Sequence, residues 1–207
     1  MYTGIVQDCL PITAVDRQEG LYTFQIELPP ALMEGLETGA SVAVNGVCFT
    51  VTAIEGCRVA FDAIRETLAL SNIRFIEAGT LVNIERSAKA GVEVGGHILS
   101  GHVVGTAEVI DVDITPNNRR LTFSADPAWL KFVFEKGFLA VNGASLTVAA
   151  LDRDASTFAI NLIPETLERT NFRLLKAGDL VNIEVESQTQ VIVETVERIM
   201  AERFPEA

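Results

Sequence analysis

The sequence predicts an all-β chain folded as two similar closed barrels in tandem. Three observations carry this: an internal repeat, many short strand-like runs, and one short Pro-to-Gly segment in each repeat. The repeat is plainest where AVNGVCFTV (43–51) recurs as AVNGASLTV (140–148), 97 residues later. At the same separation TGIV (3–6) falls on SGHV (100–103), and PAL (30–32) on PAW (127–129). Further on, RETL (65–68) matches PETL (164–167) and AGTLVNIE (78–85) matches AGDLVNIE (177–184), now 99 residues apart. An insertion of two residues near 151–157 accounts for the drift. A self-match of fixed period over most of a chain marks duplicated units. The expected units are 1–87 and 98–187, joined by a Gly-rich linker at 88–97 and followed by a tail at 188–207.

In each unit VAVNG or its copy runs into an Asn-Gly pair, the signal for two short strands meeting at a tight turn. RVAFDAI (58–64), TLVNIER (80–86), TFAINLI (157–163) and DLVNIEV (179–185) read as further strands. PPALMEGLETG (29–39) and DPAWLKFVFEKG (126–137) begin with Pro and end at Gly, which predicts a short helix of two or three turns in each unit. Many short strands with little helix suit a small barrel, because closure removes exposed strand edges. The tail differs. TQVIVETVERIMAERF places Ile192, Val196, Ile199 and Phe204 at near-helical spacing, predicting an amphipathic helix that covers a barrel end or pairs with its equivalent in another subunit.

Sixteen basic against 28 acidic residues leave a net charge of −12, which argues against a nucleic-acid binder, whose affinity rests on Lys and Arg. The opening MYTGIVQDC has neither a basic n-region nor an apolar h-region, so no signal peptide is expected, and no apolar run is long enough to span a bilayer. Cys9, Cys48 and Cys57 form an odd set without a CxxC pair. That suits a reducing compartment, the cytoplasm by default, and argues against a disulfide scaffold or a zinc site.

Nucleotide-fold and metalloprotease signatures are absent from the sequence. GGHILSGHV places His97 and His102 five residues apart. On a strand their rings would point to opposite faces, so one could face a pocket, or both could cap strand ends. Cys48 stands where the second copy has Ser145, and Thr50 and Thr147 follow two residues on, hence on the same strand face. Such rows of small polar groups could hold a polyhydroxylated chain or the edge of a heterocycle. Cys48 is equally readable as a small buried hydrophobe, and the repeated pairs Glu66-Thr67 and Glu165-Thr166 as helix starts. Two homologous pockets could hold two copies of one small molecule in different roles.

MYTGIVQ, LETGASVAVNGVCFTVT, GGHILSGHVVGTAEV, KGFLAVNGASLTV, LIPETLERTN and VNIEVESQTQVIVETVER together resemble the alpha-subunit type of riboflavin synthase over nearly the whole chain. The resemblance implies two six-stranded antiparallel Greek-key barrels, and a C-terminal helix that helps build a homotrimer. It implies dismutation of two 6,7-dimethyl-8-ribityllumazine molecules into riboflavin and a pyrimidinedione, with no cofactor. The active site would lie between the N-terminal barrel of one subunit and the C-terminal barrel of a neighbour, and lumazine synthase would be a candidate partner.

Carried over by position, the N-barrel pocket would comprise Gly4, Ile5 and Val6, Ser41, then Cys48, Phe49 and Thr50. Asp62, Ala63, Ile64, Arg65, Glu66 and Thr67 would continue it, with Gly101, His102 and Val103. The C-barrel pocket would comprise Lys136, Ser145, Leu146 and Thr147, then Ile163, Pro164, Glu165, Thr166, Leu167 and Glu168. Cys48, His102, Ser41, Thr147 and Glu186 would carry the chemistry. Tyr2 stands where the family usually has Phe, Val47 where some members have Cys, and Asn161 where some have His. Glu186 replaces an Asp expected to orient the Thr147 hydroxyl. The lumazine proteins, which bind a ribityllumazine or flavin without turnover, share the barrels and supply the alternative reading.

Overall fold

The computed structural model describes residues 1–91 and 93–204; Val92 of the expected linker and residues 205–207 of the expected tail lie outside it. The first barrel is built from β1 (Asp8–Gln18), β2 (Leu21–Glu27), β3 (Ser41–Val44), β4 (Val47–Glu55), β5 (Arg58–Ile64) and β6 (Leu81–Arg86). They close in the order β1-β2-β5-β4-β3-β6, every pair antiparallel. The second repeats this with β7 (Gly105–Thr115), β8 (Asn118–Ser124), β9 (Phe138–Val141), β10 (Ala144–Asp152), β11 (Thr157–Leu162) and β12 (Leu180–Val185). In each, the second strand skips its successor to pair with the fifth, which is the Greek-key crossover.

Alternation explains which side chains enter the barrels. On β4, Val47, Phe49 and Val51 are buried while Cys48 and Thr50 point outward. Phe24, Phe49 and Phe61 pack together in the first barrel at centroid distances of 5.0–6.2 Å. Phe123 stacks on Phe158 at 4.9 Å in the second, with Trp129 edge-on to Phe158.

The expected helices at 29–39 and 126–137 are single turns, α1 (Pro30–Met33) and α3 (Pro127–Leu130). After α1 the chain leaves helical geometry at Glu34 (ψ 115°) and turns through Gly35 (φ +63°), which lets both Leu32 and Leu36 be buried. After α3 the chain continues in i→i+3 turns, Phe132 N donating to the Trp129 carbonyl and Val133 N to the Leu130 carbonyl, both at 3.0 Å, with Trp129, Leu130, Phe132 and Val133 all buried. Two further short helices follow the fifth strands, α2 (Arg65–Leu70) and α4 (Pro164–Arg169). The tail forms α5 (Ser187–Arg203), tied to the second barrel by Val193 against its core and by Lys131 Nζ donating to Glu197 at 2.6 Å.

The barrels meet at their Asn-Gly turns. Asn45 (φ 47°) and Gly46 (φ 78°), like Asn142 (φ 42°) and Gly143 (φ 80°), have the paired positive φ of a type I′ turn. Asparagine amides join the turns in a pseudo-twofold pattern. Asn83 Nδ2 donates to the Asn142 carbonyl and Asn182 Nδ2 to the Asn45 carbonyl, both at 2.9 Å. Asn171 N donates to Asn83 Oδ1 at 2.8 Å and Asn72 N to Asn182 Oδ1 at 2.6 Å. Turn-on-turn packing therefore accounts for the doubled AVNG, while the residues after it are free to differ.

Candidate functional site

Two extended segments, each preceding the first strand of its repeat, cross between the barrels. Each is anchored first to its own repeat by a buried carboxylate. Glu85 Oε1 accepts from Thr3 N and Oγ1 at 2.7 and 2.8 Å, and its Oε2 from Gly4 N at 3.1 Å. Glu184 Oε1 accepts from Ser100 N and Oγ at 2.6 and 2.7 Å, and its Oε2 from Gly101 N at 3.0 Å. Burial pushes the pKa of both carboxyls up, and these donors oppose that shift.

Each segment then reaches the other barrel. Ser145 N donates to the Gly4 carbonyl at 2.8 Å and Cys48 N to the Gly101 carbonyl at 2.9 Å. Val6 joins the C-barrel core and Val103 packs on the N-barrel core. Gly4, Ile5 and Val6 therefore border the C-barrel face, not the N-barrel face where the sequence reading placed them. Glycine is required for this approach: at Gly4 (φ +74°) a β-carbon would lie 2.5 Å from Ser145 Cβ, and at Gly101 (φ +82°) 2.5 Å from Cys48 Cβ.

On the N-barrel, Cys48 is half-buried and Thr50 exposed, with Ser41 half-buried and paired across the ladder to Thr50. On β5, Asp62 accepts from Thr23 Oγ1 at 2.6 Å and Ile64 is exposed; Arg65, Glu66 and Thr67 continue onto α2. His102 is exposed on the crossing segment, next to Gly101, whose carbonyl accepts from Cys48 N. Phe49 on β4 and Ala63 on β5 turn their side chains into the core and leave only backbone to the face.

The C-barrel face repeats this frame. Ser145 and Leu146 are half-buried and Thr147 exposed, with Lys136 exposed at the preceding turn (φ +64°). Ile163, Pro164, Glu165 and Glu168 are exposed around α4, while Thr166 and Leu167 are half-buried and Leu167 packs on the core. The crossing segments pair with each other at Tyr2 and Leu99 and so touch both faces.

Three expectations change. The 95–104 segment is not a strand, and its histidines do not cap strand ends with their rings. His97, absent from the sequence-derived site, is buried with Nδ1 2.6 Å from Ser145 Oγ and its ring stacked on Phe138 at 5.2 Å. Burial lowers its pKa against the opposing charge of Glu186, which favours a neutral imidazole. Glu186 does not hold the Thr147 hydroxyl: its Oε2 accepts from Thr189 N at 3.2 Å and from the Thr189 hydroxyl, capping α5. A carboxylate at an N-cap finds free backbone N–H groups and a favourable helix dipole, and these compete for it.

Two cavities are formed besides these faces, the first reaching the crossing segment at Ile5. One of about 620 Å³ is bounded by Ile5, Gln7, Leu32, Glu85, Arg86 and Lys89, and one of about 450 Å³ covers the asparagine cluster. In a single chain the two polar faces are open. Among the described residues no cluster of His, Cys, Asp or Glu suits a metal ion, and no helix is long and apolar enough to cross a membrane.

The Lumazine binding domain family matches residues 3–87 and 100–186, one match per barrel. The riboflavin synthase of Escherichia coli (strain K12) is 46% identical over 204 residues, covering 98% of this chain and 95% of its own. That of Chlamydia pneumoniae is 39% identical over 97% of this chain and 98% of its own. Among solved structures, LumP complexed with riboflavin superposes with a TM-score of 0.82 at 26% identity, covering 90% of this chain and all (100%) of LumP. LumP complexed with 6,7-dimethyl-8-(1'-D-ribityl) lumazine gives 0.80 at 26% identity, over 89% and 99%. With both repeats matched and nearly the full length of each relative covered, the chain belongs to the riboflavin synthase family, built on two lumazine-binding domains.

Proposed function

We propose that the protein dismutates two molecules of 6,7-dimethyl-8-ribityllumazine by transfer of a four-carbon unit, yielding riboflavin and 5-amino-6-ribitylamino-pyrimidinedione. One observation carries the reading: two faces share a backbone frame yet differ in chemistry. Cys48, Tyr2 and Ser41 stand at one, where the segment carrying His102 crosses, and Ser145, His97 and Thr147 at the other. That is the arrangement required when two copies of one substrate act as donor and acceptor. The LumP complexes with the lumazine and with riboflavin support these ligands.

The C7 methyl protons of the lumazine are acidic because the carbanion delocalises into the ring. The exposed His102 imidazole transfers protons, as histidine is suited to do near neutral pH. Cys48, with Ser41 beside it, is the nucleophile or the group that polarises the substrate. Ser145 and Thr147 hold the second molecule by hydrogen bonds, and Glu186 serves the tail helix. The reaction needs no cofactor.

The functional units are 1–87 and 98–187, with 88–97 as linker and 188–207 as the assembly tail, and the protein works in the cytoplasm. Three tails pack through Ile192, Val196 and Ile199, whose side chains are exposed here, and set an N-barrel face of one subunit against a C-barrel face of the next. Lumazine synthase is the candidate protein partner. Incubation of the purified protein with the lumazine should raise riboflavin absorbance. Tight binding without product by a folded sample would instead favour a lumazine-protein role, the reading supported by the LumP likeness.

A further inference from the structure

Tyr2 is almost fully buried, 1% exposed, between the barrels with Ala43, Leu99 and Ala140. Its hydroxyl is the polar end of an otherwise apolar cluster, and it donates to Cys48 Sγ at 3.1 Å. The ring is held tightly: a β-carbon on Gly101 would lie 3.0 Å from its Cε2. The hydroxyl cannot swing to bulk water, so its donor stays aimed at sulfur. Cys48 itself is half-buried and opens onto the N-barrel face.

We propose that Tyr2 is a positioning residue for Cys48: its buried hydroxyl fixes the thiol's rotamer and stabilises the thiolate on the N-barrel face. A hydroxyl donor bound to sulfur favours the charged form over the neutral one. The tyrosine remains the donor because burial, and then the bond to Cys48, raise its own pKa, while the adjacent Ser41 hydroxyl acts in the opposite sense. The consequence for turnover rests on the Cys48 role proposed above; the thiol chemistry does not.

The test reads the thiol without any lumazine. Native protein and Tyr2→Phe are alkylated with iodoacetamide across a pH series, and each cysteine is followed by peptide mass spectrometry. The exposed Cys57 serves as an internal standard. Loss of the donor should slow the reaction of Cys48 near neutral pH by about three- to tenfold, with the rate at Cys57 unchanged. Unchanged Cys48 profiles would overturn the proposal. Should Tyr2→Phe fold poorly, 3-fluorotyrosine at both tyrosines keeps the ring and makes its hydroxyl a stronger donor. Cys48 should then react faster near neutral pH, and a rate that stays or falls contradicts the proposal.

Discussion

A β-carbon on Gly46 would lie 2.5 Å from the amide nitrogen of Gly143 and 2.8 Å from its Cα. The two turns thus meet backbone to backbone across the pseudo-twofold. Gly46→Ala combines a strained positive φ (78°), about 1–2 kcal/mol, with a clash that neither turn can relieve cheaply, about 1–3 kcal/mol more. Urea denaturation should show a loss of roughly 2–5 kcal/mol. Gly56→Ala has open space at its β-carbon but also a positive φ (63°), so it should show only the smaller, conformational part.

The asparagine cluster predicts a second stability effect. Asn83→Ala removes the donor to the Asn142 carbonyl and the acceptor for Asn171 N, both buried. Leaving such groups unpaired costs about 1–3 kcal/mol each. The variant should unfold earlier in urea, and Asn182→Ala should match it because the pattern is symmetric.

His97 predicts a pH dependence with a definite sign. Its folded pKa is lowered by burial from an ordinary value of 6.5, so the unfolded chain takes up the proton first. The stability it contributes is present above about pH 6.5 and is lost as pH falls toward the folded value. The advantage of native protein over His97→Gln in urea denaturation should therefore be largest above pH 7 and shrink toward pH 5. A difference that grew on acidification would contradict the neutral buried ring.

The two faces should fail differently. Cys48→Ser should lower kcat more than it weakens lumazine binding. Ser145→Ala should mainly weaken binding, by about 0.5–1.5 kcal/mol for one hydrogen bond. Isothermal titration alongside steady-state rates separates the two outcomes.

Val196 and Ile199 are 54% and 40% exposed on α5, although the helix's other side is docked on the second barrel. Val196→Asp with Ile199→Asp would bury unpaired charge in any helix–helix contact there, which is costly. Light scattering should show the mass falling toward the 22.4 kDa of one chain, with activity falling in parallel.

Much of this architecture was legible in the sequence because it is local and periodic. The doubled AVNG turn, the alternating strands and the tail's apolar spacing announce themselves within a few residues. The crossing segments do not. Tyr2 meets Cys48 across 46 positions, and Ser145 meets His97 across 48, through contacts that no local pattern encodes. The HILSGHV stretch looks strand-like, yet its backbone is spent on Tyr2 and Cys48, with a carboxylate holding Ser100 and Gly101. α1 and α3 stop after a single turn because Pro and Gly mark where a helix can start and stop, not whether tertiary burial lets it continue. Glu186 caps α5 because the helix N-terminus competes with lateral neighbours for its carboxylate, and only the placement of α5 decides which wins.

Subunit complementation tests most directly the claim that two unlike faces from different copies act on one pair of lumazines. Thr50 and Thr147 are exposed, so Thr50→Arg and Thr147→Arg should block the N- and C-barrel faces without disturbing either core. Each variant alone should be inactive. Co-expressed with different tags and purified as mixed trimers, they should regain roughly a third of native riboflavin formation, since about one junction in three of each mixed trimer would join two intact faces. Mixed assemblies as inactive as the separate variants would contradict the account, because the reaction would then require both faces of one chain.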